Sequence, residues 1–184
     1  MPHESQIPAL LDGQIDIIMS GISPTPSRAR RIAFATPYMK NPIVAVVRAD
    51  AADPGSARAV LSTTAPIGVL KETSSDALLR TAATTARIHP LASRDDAARL
   101  LIGRRIDYYV DDFSAANYIV SRHPDYLRIL PYPLQPQSVA WAVSPSNRAL
   151  LDEANAFLAR SATSLLPSLL RLHLPYYSLL DPAP

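Results

Sequence analysis

Short apolar stretches, many of them rich in β-branched residues, recur along the chain and alternate with segments that carry helical signals. The apolar stretches predict strands at residues 14–19, 42–47, 66–71, 106–110, 127–130 and 139–143. The segments between and after them predict helices, among them 75–85, 93–103, 113–122, 147–160 and 163–173. Strands that alternate with helices are typical of an α/β fold, so we expect largely parallel sheets.

Small polar residues mark the helix starts, because their side chains can accept a hydrogen bond from the first helical turn. Thr25 can cap a short turn that begins with proline, a residue that is well tolerated at the first helical position. Ser93 and Asp96 have the spacing of a capping box. The other expected caps are Ser74 and Ser146.

The composition excludes several classes of protein. A chain of 184 residues suffices for one large domain or two small lobes. Its 18 basic residues are scattered, and the nearest approach to a basic cluster is Arg28, Arg30 and Arg31, so we expect no nucleic-acid partner. The chain has no cysteine, which excludes disulfides, thiol catalysis and cysteine–metal sites.

No run approaches the ~20 apolar residues that a membrane-spanning helix requires. The longest apolar-looking stretch lies near the C-terminus and is interrupted by Pro167, Arg171, His173 and Pro175. The N-terminus begins Met-Pro-His-Glu-Ser-Gln, with an acid and no apolar core, so we expect no signal peptide here.

Three loops that follow predicted strands carry complementary chemistry. The loop 20–28 offers backbone N–H groups, hydroxyls and the Arg28 guanidinium, and the loop 71–75 offers hydroxyls at a helix start. The third loop offers the carboxylates of Asp111 and Asp112. In α/β folds, ligands bind beyond the carboxyl ends of the strands, which is where such loops lie.

A zwitterionic amino acid requires these groups together. Its carboxylate favours an arginine fork with N–H donors of a helix start, and its ammonium favours a carboxylate acceptor. Each residue also has a purely structural interpretation. Arg28 can be a solvated surface residue, Thr73 and Ser74 can cap a helix, and Asp112 can be an N-cap.

The ordered motifs resemble the solute-binding proteins of polar-amino-acid ABC transporters, which have the type II periplasmic-binding-protein fold. Residues 10–28 (LLDGQIDIIMSGISPTPSR) and 32–38 (IAFATPY) resemble motifs of the family's first lobe. Residues 67–75 (IGVLKETSS) resemble the turn that opens the second lobe, and residues 100–112 (LLIGRRIDYYVDD) resemble its Gly–x–x–Asp…Asp signature.

The resemblance implies two lobes, with lobe 1 at 1–47 plus 137–184, lobe 2 at 48–136, and a hinge near 46–49 and 133–138. It implies that an amino acid binds between the lobes, that a membrane permease recognises the closed form, and that the protein is periplasmic or extracytoplasmic. The ligand contacts that it implies come from Gly21, Ser23, Arg28, Thr73, Ser74 and Asp112. Of these, Arg28, Thr73 and Ser74 would hold the carboxylate, and Asp112 the ammonium.

The chain departs from the family pattern in three places. Glu72 stands where the family usually has glycine, and Pro24 and Pro26 stiffen the arginine loop. The family's first strand, first helix and second strand are missing, so the first lobe is expected to be incomplete and the edge of strand 14–19 unpaired. We therefore expect a fragment of a longer product with a misplaced start codon, or a partner chain, as in a dimer, that pairs with this edge.

Other functions remain open at this stage. Some dehydratases of aromatic amino-acid biosynthesis share the scaffold, and Glu72 is a carboxylate near the proposed site. A ligand-sensing module of a larger protein is a further alternative. We expect no cofactor, and no metal in particular, because the four histidines are isolated in the sequence. A serine hydrolase is also not expected, because the Gly-x-Ser-x-Gly elbow is lacking.

Overall fold

The structure of the protein, a computed structural model, describes residues 3–71 and 73–180. The strands are β1 (Ile17–Ile22), β2 (Ala33–Phe34), β3 (Met39–Lys40), β4 (Ile43–Arg48), β5 (Pro66–Leu70), β6 (Arg87–Leu91), β7 (Tyr108–Asp112), β8 (Leu127–Ile129) and β9 (Ser138–Val143). The α-helices are α1 (His3–Leu11), α2 (Pro26–Ala29), α3 (Ala57–Leu61), α4 (Ser74–Ala82), α5 (Arg94–Ile102), α6 (Phe113–Arg122), α7 (Arg148–Ser161) and α8 (Leu165–His173), and a 3-10 helix follows at Tyr177–Leu180. Throughout these described ranges, no helix has the length and apolarity needed to cross a bilayer.

The chain divides into two compact units. The first contains the described residues up to Lys40 together with Gln137–Leu170, and the second contains Asn41–Pro136 with the described residues from Arg171 onward. The boundaries differ from those expected, because 41–47 and the segment after residue 170 belong to the second unit. β4 pairs with β7 and β8 of that unit, and Tyr176 and Tyr177 pack against its core. The division into compact units lies between Lys40 and Asn41, and the hinge expected near 46–49 and 133–138 stays a prediction.

The first unit is built around β9, which pairs antiparallel with β1, β2 and β3. Successive residues of a strand point to opposite faces of the sheet. Ala142 accordingly packs with Leu10 and Ile18 on one face, while Val143 packs with Leu151 on the other. Among the described strands, β9 is the only partner of β1, so the other edge of β1 is unpaired. A dimer through this edge stays a prediction.

The second unit contains a five-stranded sheet in the order β6-β5-β7-β4-β8. β5 pairs in parallel with β6 and with β7, and the helices α4 and α5 provide the crossovers that parallel pairing requires. The mostly parallel pairing that was expected holds for β5 and its neighbours, whereas β4 and β9 pair antiparallel. Both antiparallel strands start within two residues of a unit boundary, without a crossover helix before them.

The β4 strand lies at the centre of the second core. Its residues Ile43 to Val47 are all buried, with Val44 and Val46 in one apolar cluster and Ile43, Ala45 and Val47 in the other. A strand that is covered on both faces has a continuous apolar sequence without alternation. This explains why the strand was evident from sequence.

Several elements differ from the sequence prediction. β1 begins at Ile17 and continues to Ile22, into the segment that was predicted to be a loop. The strand β6 and the short helix α3 were missed. β6 has the sequence RIHPL and is mostly exposed at the edge of its sheet, so it shows neither an apolar run nor a clear alternation. α3 lies in a polar segment between the strands predicted at 42–47 and 66–71.

The N-cap of α7 is Asn147 and not the predicted Ser146, because the Asn147 side chain accepts a hydrogen bond from the Leu150 amide at 3.1 Å. We expect Asn147→Ala to lower the free energy of unfolding by about 1 kcal/mol, the usual contribution of an N-cap. Ser146→Ala serves as the control and is expected to change it by less than about 0.5 kcal/mol, since Ser146 is exposed. Urea denaturation measures both, and equal effects of the two substitutions would contradict the assignment.

Candidate functional site

The loop that contains Gly21, Ser23 and Arg28 lies in the first unit and leads from β1 into α2. Gly21 has a φ of 76°, in the left-handed region that favours glycine. A Cβ at this position would meet only Val139 Cγ1 at 3.9 Å, so the backbone conformation and not the available space requires glycine. Thr25 caps α2 as predicted, because its Oγ1 accepts a hydrogen bond from the Arg28 amide at 3.3 Å.

The Arg28 side chain is half-buried and folds back over its own loop. Its guanidinium donates a hydrogen bond to the Ser23 carbonyl oxygen at 3.0 Å. Burial lowers the pKa of Arg28 below its usual value. Among the described residues of the first unit, no carboxylate pairs with this guanidinium, which therefore keeps donors for another acceptor.

Ser23 is buried and connects the loop to β9. Its Oγ accepts a hydrogen bond from the side-chain amide of Gln137, and its carbonyl oxygen accepts the bond from Arg28. The structure therefore brings Gly21, Ser23 and Arg28 together in one ordered loop, which is braced by the residue that precedes β9.

The loop with Thr73 and Ser74 lies in the second unit, between β5 and α4. Thr73 is the N-cap of α4, one residue before the predicted cap Ser74. Its Oγ1 accepts a hydrogen bond from the Asp76 amide at 3.2 Å and donates one to the Leu70 carbonyl oxygen at 2.8 Å. Ser74 is the first residue of the helix and is exposed. Glu72, the departure from the family pattern, lies outside the described residues.

Asp112 also lies in the second unit, at the end of β7. It caps α6, because its Oδ1 accepts hydrogen bonds from the Ala115 amide at 3.0 Å and from the Ser114 hydroxyl at 2.7 Å. Oδ2 of the same carboxylate accepts no hydrogen bond from the described residues. The structural interpretation of Asp112 as an N-cap is thus confirmed, and one oxygen keeps its acceptor capacity.

The parallel pairing of β5 and β7 brings the two loops of the second unit to one edge. Both strands run in the same direction, with Ile67 opposite Tyr108, so their carboxyl ends and the starts of α4 and α6 face the same edge of the sheet. The edge also contains Asn41, whose Oδ1 accepts a hydrogen bond from the Ser114 amide at 2.9 Å.

Asp111, the neighbour of Asp112, is buried and forms a network that sequence analysis did not single out. Its Oδ2 accepts hydrogen bonds from Arg94 Nε at 3.0 Å and from the Tyr109 hydroxyl, and its Oδ1 accepts one from the Asp112 amide at 2.8 Å. Burial, followed by the charge of Asp112, raises the pKa of the Asp111 carboxyl. Burial also raises the pKa of the Tyr109 phenol, which keeps the hydroxyl protonated as a donor.

One further property of the second unit was not evident from sequence. Ser75, in the first turn of α4, is fully buried, and its hydroxyl has no hydrogen-bond partner among the described residues. Within residues 3–71 and 73–180 there is no group of three or more histidine, aspartate or glutamate side chains arranged to hold a metal ion. The burial of the Ser75 hydroxyl has no local sequence signal, because it depends on which side chains the tertiary structure brings close together.

Known proteins with the same pattern identify the family. Residues 1–165 match the sequence pattern of the bacterial extracellular solute-binding proteins, family 3. The chain belongs to this family. Among individual solute-binding proteins, it is 27% identical over 164 residues to the ABC transporter arginine-binding protein 1 of Escherichia coli (strain K12), an alignment that covers 85% of this chain. The chain spans 64% of the length of that relative.

Solved structures of solute-binding proteins confirm the predicted α/β, type II periplasmic-binding-protein-like fold. The ancestral cationic amino acid solute-binding protein AncCDT-1 has a TM-score of 0.83 at 24% identity, over 95% of this chain and 76% of that one. In a second solved structure, AncCDT-1 is described as a precursor of cyclohexadienyl dehydratase. A mutant of ArgBP from T. maritima has a TM-score of 0.75 at 26% identity, over 95% of this chain and 76% of the other.

Proposed function

We propose that this chain is the substrate-binding component of an ABC-type uptake system, that it binds a polar amino acid, and that it is not an enzyme. The proposal rests on two groups of opposite charge that can still form hydrogen bonds with a ligand. The Arg28 guanidinium has no carboxylate partner among the described residues of its unit, and one oxygen of Asp112 likewise accepts no hydrogen bond from the described residues. An α-amino acid carries the two opposite charges that these groups would bind.

In this proposal the ligand carboxylate is bound by Arg28 with Thr73 and Ser74. A guanidinium offers a planar fork of donors that matches a carboxylate. The start of α4 adds N–H donors and the positive end of the helix dipole, because the nine residues of this helix align their peptide dipoles. Gly21 and Ser23 support the contact, since the Ser23 carbonyl positions the Arg28 side chain.

The ligand ammonium is bound by Asp112 in the same proposal. The Oδ1 atom of Asp112 is held by the first turn of α6, and this contact fixes the direction of the carboxylate. A fixed acceptor loses little side-chain entropy when the ligand binds. Oδ2, which accepts no hydrogen bond from the described residues, then forms a charge-assisted hydrogen bond with the ammonium.

The partner and the location are inferred from the family. Solute-binding proteins of this family are extracellular by description, and the Escherichia coli relative is named as part of an ABC transporter. We propose a membrane permease as the partner and a periplasmic or extracytoplasmic location. Amino-acid binding would favour one arrangement of the two units, and the permease would recognise it.

Arg28→Ala is expected to abolish amino-acid binding, because the ligand carboxylate would lose its only proposed arginine partner. A thermal-shift screen of the twenty amino acids measures this, since a ligand at about 100 times its Kd stabilises the native state by about 2.7 kcal/mol. Arg31→Ala is the matched control, as it removes the same charge from an exposed position three residues away. An undiminished shift in the Arg28 variant would remove this arginine from the site.

Asp112→Asn is expected to separate the two roles of this residue. Asparagine caps helices about as well as aspartate, so the free energy of unfolding should change by less than about 0.5 kcal/mol. The loss of the negative charge should weaken amino-acid binding by about tenfold or more, because a charge-assisted hydrogen bond is replaced by a neutral one. Calorimetric titration measures the affinity, and unchanged binding would argue against the ammonium contact.

The alternative is an enzyme on the same scaffold, which the description of AncCDT-1 as a dehydratase precursor keeps in view. We expect no turnover when the protein is incubated with prephenate or arogenate and the absorbance of the aromatic product is followed. Of the carboxylates at the described edge, Asp111 is buried and bound by Arg94 and Tyr109, and Asp112 caps a helix. Measurable turnover would contradict the binding-only proposal.

A further inference from the structure

Arg94 is held in an unusual position at the start of α5. It is the first residue of this helix, directly after the N-cap Ser93. Its Nε donates to Oδ2 of Asp111 at 3.0 Å, an oxygen that also accepts the Tyr109 hydroxyl. Only 4% of the Asp111 side chain is exposed, whereas 46% of the Arg94 side chain is exposed. The ion pair therefore has a buried anionic end and a solvent-accessible cationic end.

The outer end of this pair can only donate hydrogen bonds. The bond to Asp111 uses Nε, and the two terminal nitrogens of Arg94 have no hydrogen-bond partner among the residues that the structure describes. The Asp111 carboxylate is already bound at both oxygens, by Arg94 and Tyr109 at one and by the Asp112 amide at the other. A ligand group that reaches this point thus meets a fork of N–H donors and no available acceptor of the pair.

Arg94 lies at the same sheet edge as the proposed binding residues of the second unit. α5 follows β6, and β6 and β7 both run parallel to β5. The starts of α4, α5 and α6 consequently face one edge, which contains Thr73, Arg94 and Asp112.

The buried carboxylate has an energetic cost that calls for a role. Removing a carboxylate from water costs several kcal/mol, and a partner that stays half-exposed offsets this cost only in part. What the arrangement gains is orientation. Without Asp111, the long side chain of Arg94 would sample many rotamers at a helix start, whereas the bond at Nε orders the half-exposed guanidinium before a ligand binds.

We propose that Arg94 selects the ligand side chain, and that the preferred ligand is an amino acid whose side chain ends in a carboxylate. This inference rests on the proposed amino-acid-binding function and adds the ligand class to it. The α-carboxylate and α-ammonium would use Arg28 and Asp112, and the side-chain carboxylate would bind the fork of Arg94 in the bidentate geometry that guanidinium favours. A cationic side chain would meet a like charge without an acceptor, so the same residue disfavours it.

Calorimetric titration of the protein with glutamate, aspartate, glutamine, alanine, arginine and lysine tests this inference. We expect glutamate or aspartate to bind at least about tenfold more tightly than arginine and lysine, and more tightly than the neutral glutamine, since a charge-assisted pair contributes that much. In R94Q the affinity for glutamate relative to the affinity of the same variant for alanine should fall by about tenfold or more, because alanine has no side-chain acceptor for Arg94 to bind.

Arg99→Gln is the matched control. Arg99 lies on the same helix, is 70% exposed and pairs with Asp96, so its loss changes the charge of α5 by the same amount away from Asp111. We expect the preference for acidic ligands to survive in this variant. If this variant loses the preference for acidic ligands as R94Q does, the effect of R94Q comes from net charge alone, and the assignment of Arg94 is overturned.

The outcomes separate this inference from the function on which it rests. A protein that binds arginine or lysine more tightly than glutamate, or an R94Q variant with unchanged preference, overturns the role of Arg94 and leaves amino-acid binding intact. A protein that binds alanine, glutamine and glutamate equally well also overturns it. If the protein binds none of the six amino acids, the proposed function is contradicted, and so is the proposed selectivity of Arg94.

Discussion

Strand β5 pairs in parallel with a neighbour on each side, and this pairing sets the chemistry of the second unit. Because β5, β6 and β7 run in one direction, the helices that follow them all start at the same edge of the sheet. Three helix starts that are distant in sequence are thereby brought to one surface. An antiparallel arrangement of the same strands would have divided the helix starts between opposite edges, and no common site would result.

The two carboxylates at the end of β7 are adjacent in sequence but have different structural roles. Successive side chains of a strand point to opposite faces. Asp111 is buried and bound at both oxygens, whereas Asp112 is half-buried and caps α6 with one oxygen only. Asp111 thus orders its surroundings, including Arg94, while Asp112 retains the capacity to bind a ligand.

The loop of Gly21, Ser23 and Arg28 in the first unit has a closely constrained backbone. Gly21 adopts a left-handed conformation, and the capped start of α2 sets the backbone of Arg28. The Ser23 carbonyl then directs the guanidinium. These contacts are local, within eight residues of one another, which is why the loop was recognisable as a motif.

Sequence alone determined the properties that depend on local spacing and composition. The apolar run of β4 and the N-cap roles of Thr25, Ser93 and Asp112 follow from neighbours within a few residues, and the order of the motifs indicated the family. Only the tertiary structure decided the rest. The edge strand β6, the antiparallel direction of β4 and the pairing of Arg94 with Asp111 arise between residues that are far apart in the chain. The energies of such contacts depend on burial and on partners that local sequence does not encode.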